Sequence, residues 1–291
     1  MAANALQHHA EQLAAALPPL MVSAERVATT VAQGVHGRRR VGQGETFWQF
    51  RRYEVGDSAQ RIDCRRSAKS DPVYVRETEW EAAQSVWIWT DRSPSMAFSS
   101  VDALPTKGAR ATLLALALVA LLIRGGERVA LLDQPIAPAS GTRALQRLAA
   151  ILARPEDAAP SLPPFRPLPR YAQVVLISDF LTPMADIDRA LRRFGQTGVA
   201  GHVVQILDPA ERTFPFSGRI RFEGLEDEGE MLVRRSQSLR DDYRRALDAH
   251  VAGLTRIVQS VGWTMSHHFT DHTAEAALLT LYSALSERID G

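Results

Sequence analysis

From residue 85 onward, short and almost continuous apolar runs alternate with longer segments of helical periodicity. Continuous apolar strands separated by helices are typical of a parallel sheet that helices cover on both faces. We therefore expect an α/β fold, a doubly wound and mainly parallel sheet with a strand order near 3-2-1-4-5. The predicted strands are SVWIWT, RVALLD, QVVLISDF, GHVVQILD and GWTMSHHFT, and predicted helices span 106–124, 142–153, 184–194 and 273–287.

The pattern of apolar and polar residues in the sequence changes near residue 84. Segment 1–83 is predicted to hold N-terminal helices and then a β-rich extension, in which ETFWQFRRY and PVYVRETEW are the candidate strands. Segment 84–291 is predicted to be the α/β domain. Within it, FSGRIRFEG and EMLVRR indicate a short antiparallel insertion near 212–235, and a long amphipathic helix follows. We expect the insertion to pack with residues 40–80 as a β-rich subdomain.

Composition narrows the class of protein. The longest apolar run, ATLLALALVALLI at 111–123, has 13 residues, fewer than the roughly 20 that a membrane helix needs. The N-terminus lacks the basic start and apolar segment of a signal peptide. The single cysteine, Cys64, excludes an intramolecular disulfide, and the formal net charge is +1. We therefore expect a cytoplasmic protein without a membrane partner.

Oxygen-bearing side chains follow several of the predicted strands. Asp91, Ser93 and Ser95 come directly after the first strand, and Asp179 follows QVVLIS. Thr142 opens the helix after the second strand. The carboxyl ends of parallel strands meet at one edge of a sheet, so these five side chains are expected to converge there. Two carboxylates and three hydroxyls are hard ligands that suit Mg²⁺ or Mn²⁺.

These residues resemble a known motif. Asp91-Arg92-Ser93-Pro94-Ser95-Met96, with Thr142 and Asp179 downstream, is similar to the metal-ion-dependent adhesion site of von Willebrand factor type A domains. The preceding stretch resembles the signature of the bacterial domain-of-unknown-function family 58, with Cys64 where that family usually has tryptophan. The matching pieces are Arg52-Tyr53, Gly56-Asp57, Arg61-Ile62-Asp63 and Glu77 to Glu81.

The resemblance covers about residues 30 to 288 and implies both a fold and a role. It implies a von Willebrand factor A-like domain that binds Mg²⁺ (or Mn²⁺) through Asp91, Ser93, Ser95, Thr142 and Asp179. It also implies a cytoplasmic bacterial adaptor rather than an enzyme. The implied partner is a MoxR-type AAA+ ATPase. Because two carboxylates and one divalent cation sum to about zero charge, we expect the partner to bind through an acidic residue of its own.

Other interpretations of the same residues stay open. Asp91, Ser93 and Ser95 are also residues that favour a helix N-cap or a turn. A metal-dependent hydrolase or phosphatase is the alternative enzyme class, although Ser93 stands where phosphotransferases usually carry a second aspartate. A nucleic-acid-binding module is a further alternative, because segment 36–69 holds nine Arg and Lys against four acids. Those acids interleave with the basic residues, which favours ion pairs within the segment.

A transition-metal site at His267, His268 and His272 is not expected. His267 and His268 are neighbours on a predicted strand and should point to opposite faces of the sheet.

Overall fold

The computed structural model describes residues 41–42, 46–53, 67, 72–79, 85–154, 159–169, 172–223, 229–233 and 239–287. Segment 33–83 forms one compact unit, and residues 84–291 lie in the other, the α/β unit. The predicted N-terminal helices, Cys64 and most of the signature residues between 54 and 71 lie outside the described residues.

The smaller unit contains a three-stranded antiparallel sheet. Its strands are β1 (Val41–Gly42), β2 (Thr46–Arg52) and β3 (Tyr74–Glu79), in the order β1-β3-β2. The two strands predicted in this segment are therefore confirmed as β2 and β3. Packing of residues 40–80 against the insertion stays a prediction.

The α/β unit is built on a five-stranded sheet in which every pairing is parallel. The order across the sheet is β10-β7-β6-β4-β5. The strands are β4 (Ser85–Thr90), β5 (Arg128–Leu131), β6 (Gln173–Ser178), β7 (Ala200–Leu207) and β10 (Thr264–Phe269). The helices are α1 (Lys107–Arg124), α2 (Thr142–Leu152), α3 (Met184–Gly195), α4 (Pro209–Thr213), α5 (Arg240–Ser260) and α6 (Ala274–Glu287).

The expected strand order of 3-2-1-4-5 is wrong. Numbered along the chain, the five strands lie in the order 2-1-3-4-5. After β5 the chain forms only an isolated antiparallel bridge, between Val129 and Ala139, and then crosses through α2 to β6 on the other side of β4. Strand order consequently reverses between β4 and β6, and such a reversal opens a crevice at the carboxyl ends of the two strands.

Two apolar layers enclose the sheet. Val86 and Ile88 of β4 face a layer formed with α1, α2 and α6, whereas Trp87 and Trp89 face a layer formed with α3 and α5. β4 and β6 are therefore buried on both faces, which accounts for their continuous apolar sequences. This rigid centre fixes the positions from which the following loops emerge.

Two short strands lie in the segment predicted as an insertion. β8 (Ile220–Glu223) and β9 (Glu230–Val233) form a two-stranded antiparallel sheet ahead of α5. Among the described helices, none combines the length and the hydropathy that crossing a bilayer requires.

Close packing at Gly201 offers a test of the sheet's outer region. A Cβ atom on Gly201 would lie 2.3 Å from a ring carbon of Trp263, whereas one on Gly253 of α5 would lie 3.4 Å from the flexible end of Met184. We expect Gly201→Ala to lower the free energy of unfolding by about 1–3 kcal/mol through overpacking. The control Gly253→Ala should be neutral or stabilising by up to about 1 kcal/mol, because alanine favours helix. Urea denaturation of both variants measures this, and equal effects would contradict the packing described.

Candidate metal centre

The candidate site lies where β4 and β6 end side by side. Thr90 pairs with Ile177, and the backbone N–H of Asp91 donates to the Ile177 carbonyl over 2.8 Å. Pairing thus continues to the first acidic residue, and Asp179 follows directly on β6. The side chains of both acids are buried, with residue exposures of 1% for Asp91 and 2% for Asp179. The prediction that these two carboxylates meet at one edge of the sheet is confirmed.

Both carboxylate oxygens of Asp91 accept hydrogen bonds. Oδ1 accepts from the backbone N–H of Ser93 over 2.8 Å, and Oδ2 accepts from Ser178 Oγ over 2.6 Å. A 3₁₀ turn at Pro94–Ala97 follows, with Pro94 in its first position, where the fixed φ of proline suits a helical start. The loop is therefore shaped by local hydrogen bonds and by proline.

The turn brings two hydroxyls together. Ser93 Oγ lies 3.1 Å from Ser95 Oγ. Adjacent ligands of an octahedral Mg²⁺ ion lie about 3 Å apart, since metal–oxygen bonds are about 2.1 Å long. The spacing of the two hydroxyls fits one edge of such an octahedron.

The end of β6 is held in an unusual conformation. Phe180 has a positive φ of 50°, which is uncommon for a bulky residue and marks stored strain. Ser178 Oγ accepts from the Phe180 N–H, and His250 Nε2 lies 2.6 Å from the Phe180 carbonyl, to which it donates. Gln205 Nε2 donates to the carbonyl of Asp179. These bonds from three elements fix the direction of the chain around Asp179.

A buried lysine, which the sequence reasoning missed, bonds Asp179. Lys107 is 1% exposed, and its ammonium lies 2.8 Å from Asp179 Oδ2 and 2.6 Å from Glu211 Oε1. Glu211 belongs to α4, where its other oxygen accepts from the Asp208 N–H in a capping box. The site therefore holds three carboxylates, those of Asp91, Asp179 and Glu211, together with one ammonium.

Burial is the main cause of the raised pKa of Asp91. Removal from water raises the pKa of Asp91 to about 6, although hydrogen bonds from Ser178 and Ser93 oppose the rise, and the charge of Asp179 adds to it. For Lys107, burial alone would lower the pKa, but Asp179 and Glu211 together raise it above its ordinary value. Lys107 is accordingly charged at neutral pH.

Thr142 is not joined to the other four residues. It is the first residue of α2 and is exposed, and no hydrogen bond in the described part of the chain links it to Asp91, Ser93, Ser95 or Asp179. Three residues earlier, Ala139 lies beside Val129 and runs antiparallel to β5, towards the amino-terminal end of that strand. The chain at Ala139 thus runs away from the edge that carries Asp91 and Asp179. The role of Thr142 as a ligand stays a prediction.

The oxygen atoms of Asp91, Ser93, Ser95 and Asp179 are hard ligands of the kind that Mg²⁺ and Mn²⁺ prefer. The described residues contain no group of three or more His, Cys, Asp or Glu side chains that could hold a metal ion. A site here would consequently depend on hydroxyl ligands, which suit Mg²⁺ or Mn²⁺ better than softer metals.

His268 is buried and His267 exposed, as expected from their neighbouring positions on β10.

The buried charge of Asp91 predicts a pH-dependent stability in the presence of chelator. A pKa raised from 3.8 to about 6 means that the carboxylate destabilises the folded state above pH 6, and that this cost disappears as the pH falls towards 4. We expect Asp91→Asn to raise the free energy of unfolding at pH 8 by up to about 3 kcal/mol. The gain should shrink at pH 5.

Urea denaturation between pH 5 and pH 8 measures the gain, with Asp242→Asn at an exposed position as the control. A gain that does not change with pH, or a loss of stability at pH 8, would contradict the electrostatic account.

Residues 49–253 match the family described as "Protein of unknown function DUF58". The uncharacterized proteins Rv1480 of Mycobacterium tuberculosis and Mb1516 of Mycobacterium bovis are each 29% identical to this chain over 269 residues. The alignment covers 86% of this chain and 83% of each relative.

Two solved structures are similar to parts of the chain. The conserved hypothetical protein BatB from Bacteroides thetaiotaomicron has a TM-score of 0.42 and 14% identity, covering 72% of this chain and 100% of its own. An aerotolerance-related membrane protein from Bacteroides fragilis has a TM-score of 0.44 and 16% identity, covering 70% and 99%. Because the family match spans more than half of its residues, the chain belongs to the DUF58 family.

Proposed function

We propose that this protein is a metal-dependent protein-binding module, an adaptor whose partner supplies an acidic side chain. The observation that carries the proposal is the meeting of Asp91, Ser93, Ser95 and Asp179 at the β4–β6 edge, where strand order reverses. We call these four residues the β4–β6 site. Mg²⁺ or Mn²⁺ is the cation that their oxygen atoms suit.

Each residue of the site would have a separate task. Ser93 and Ser95 present neutral oxygens at the spacing of adjacent ligands, and they would hold the cation directly. Asp91 is tied by Ser93 and Ser178, so its carboxylate would supply charge from a fixed position. Asp179 shares its charge with Lys107. Hydroxyl ligands add no charge, so a bound Mg²⁺ keeps the capacity to accept a carboxylate oxygen from outside the chain.

The charges at the site favour an acidic partner only when a cation is present. Asp91, Asp179 and Glu211 contribute three negative charges and Lys107 one positive charge, a formal sum of −2 when Asp91 is ionised. A divalent cation brings the sum to zero. The site without a cation therefore repels a carboxylate, and the loaded site accepts one.

The sequence resemblance supports a more specific version of this proposal. It matches the chain to von Willebrand factor A-like domains that act with MoxR-type AAA+ ATPases in the cytoplasm. We propose such an ATPase as the partner. The Arg-rich segment 36–69 gives less support to a nucleic-acid partner, since acidic residues interleave with the basic ones.

The proposal predicts that cation binding and partner binding fail together. We expect electron paramagnetic resonance to detect one Mn²⁺ ion bound to the purified protein. Ser93→Ala combined with Ser95→Ala should weaken its affinity by at least about tenfold, since even outer-sphere changes can have effects of that size. The control Ser260→Ala removes a hydroxyl at the end of α5 and should change nothing. Thr142→Ala in the same series shows whether Thr142 is a ligand.

Partner binding is measured by biolayer interferometry with the MoxR-type ATPase of the same organism, in Mg²⁺ and in chelator. We expect chelator and the double serine variant to weaken the complex to a similar extent while circular dichroism stays unchanged. Unchanged affinity of the double variant in excess chelator would exclude a role for the cation in recognition. Steady hydrolysis of a generic phosphoester that depends on Asp91 would favour the enzyme alternative instead.

A further inference from the structure

Lys107 occupies a position that helix electrostatics alone would disfavour. It is the first residue of α1, at the positive end of the helix dipole, and the first turn of that helix contains no acidic residue. Its ammonium is almost completely removed from water, which is costly unless charged partners compensate. Asp179, directly after β6, and Glu211 of α4 provide that compensation.

Two carboxylates lie within hydrogen-bond distance of the Lys107 ammonium. Asp179 Oδ2 and Glu211 Oε1 are both in hydrogen-bond contact with it, and the centroid of the Phe98 ring lies 5.8 Å from the nitrogen. The carboxylate of Asp208 is already used by the backbone N–H groups of Ala210 and Ser100. A shift of the ammonium away from Asp179 would therefore leave it paired with Glu211.

We propose that Lys107 is the resident counter-cation of the β4–β6 site: it bonds both Asp179 and Glu211 in this structure, and it gives up Asp179 and keeps Glu211 when a divalent cation binds. This inference rests on the proposed function and adds a regulation of the same site. A cation held near Asp179 lies close to the ammonium and repels it. Lys107 thus competes with the metal for Asp179, whereas Glu211 reduces the competition by offering a second partner.

The proposal predicts opposite effects from removing the two ends of one ion pair. Lys107→Met frees Asp179, and we expect its Mn²⁺ affinity to rise by about tenfold, within the usual range of coupling between sites. Glu211→Gln removes the second partner and leaves the ammonium on Asp179, so Mn²⁺ affinity should fall severalfold. A lysine that only stabilised the fold would make both substitutions neutral or both harmful to metal binding.

The experiment measures Mn²⁺ affinity by electron paramagnetic resonance and urea stability in chelator for the full-length variants. Lys107→Met should be less stable than wild type, because it leaves Asp179 and Glu211 buried without their cation, and Mn²⁺ should restore part of that loss. Lys107→Met combined with Glu211→Gln keeps the formal charge of the site and remains usable if the single variant does not fold. We expect this double variant to bind Mn²⁺ more tightly than wild type.

Arg192→Met and Asp188→Asn, which break an exposed helix pair, serve as matched controls and should leave Mn²⁺ affinity unchanged. Absence of Mn²⁺ binding by both wild type and the lysine variants would refute the metal site itself, and with it the exchange. Binding by wild type with equal or weaker binding by the lysine variants would refute the exchange alone. An unchanged affinity in Glu211→Gln would refute the role of Glu211 as the second partner.

Discussion

The burial of two carboxylates side by side, Asp91 on the end of β4 and Asp179 on the end of β6, is the constraint on which the site depends. Parallel pairing of two largely buried strands places them together, and both side chains are almost completely removed from water. Unpaired charges in such a place are costly, so the surrounding structure must compensate them. Ser178 and the Ser93 amide do so for Asp91, and Lys107 does so for Asp179.

This compensation is incomplete for Asp91. Asp91 keeps a pKa raised to about 6, which shows that its hydrogen bonds do not fully replace water. The backbone of Phe180 is held at positive φ beside Asp179, a strain that the bonds from Ser178 and His250 maintain. Backbone strain and a raised carboxyl pKa thus lie together at the proposed cation site, a pattern that functional sites often show.

The sequence was sufficient to predict the parallel α/β architecture, because continuous apolar strands and periodic helices each carry a strong local signal. Asp91 and Asp179 could be placed together for the same reason, since each follows a recognisable strand. Strand order was not predictable, because apolar patterns show which segments are strands but not on which side of β4 the chain places β6. Lys107 and Glu211 were missed because they meet 104 residues apart, and the sequence around Lys107 resembles an ordinary helix start. The one available signal was a lysine at the unfavourable end of an apolar helix.

A crystal structure of the protein grown with Mn²⁺, with anomalous diffraction recorded at the manganese absorption edge, would test directly whether the β4–β6 site binds a cation. We expect one anomalous peak bordered by Ser93 Oγ, Ser95 Oγ and the carboxylates of Asp91 and Asp179, with the Lys107 ammonium moved away from Asp179 and still bonded to Glu211. No peak at the β4–β6 edge at millimolar Mn²⁺, or a peak elsewhere with Lys107 still bonded to Asp179, would contradict this expectation.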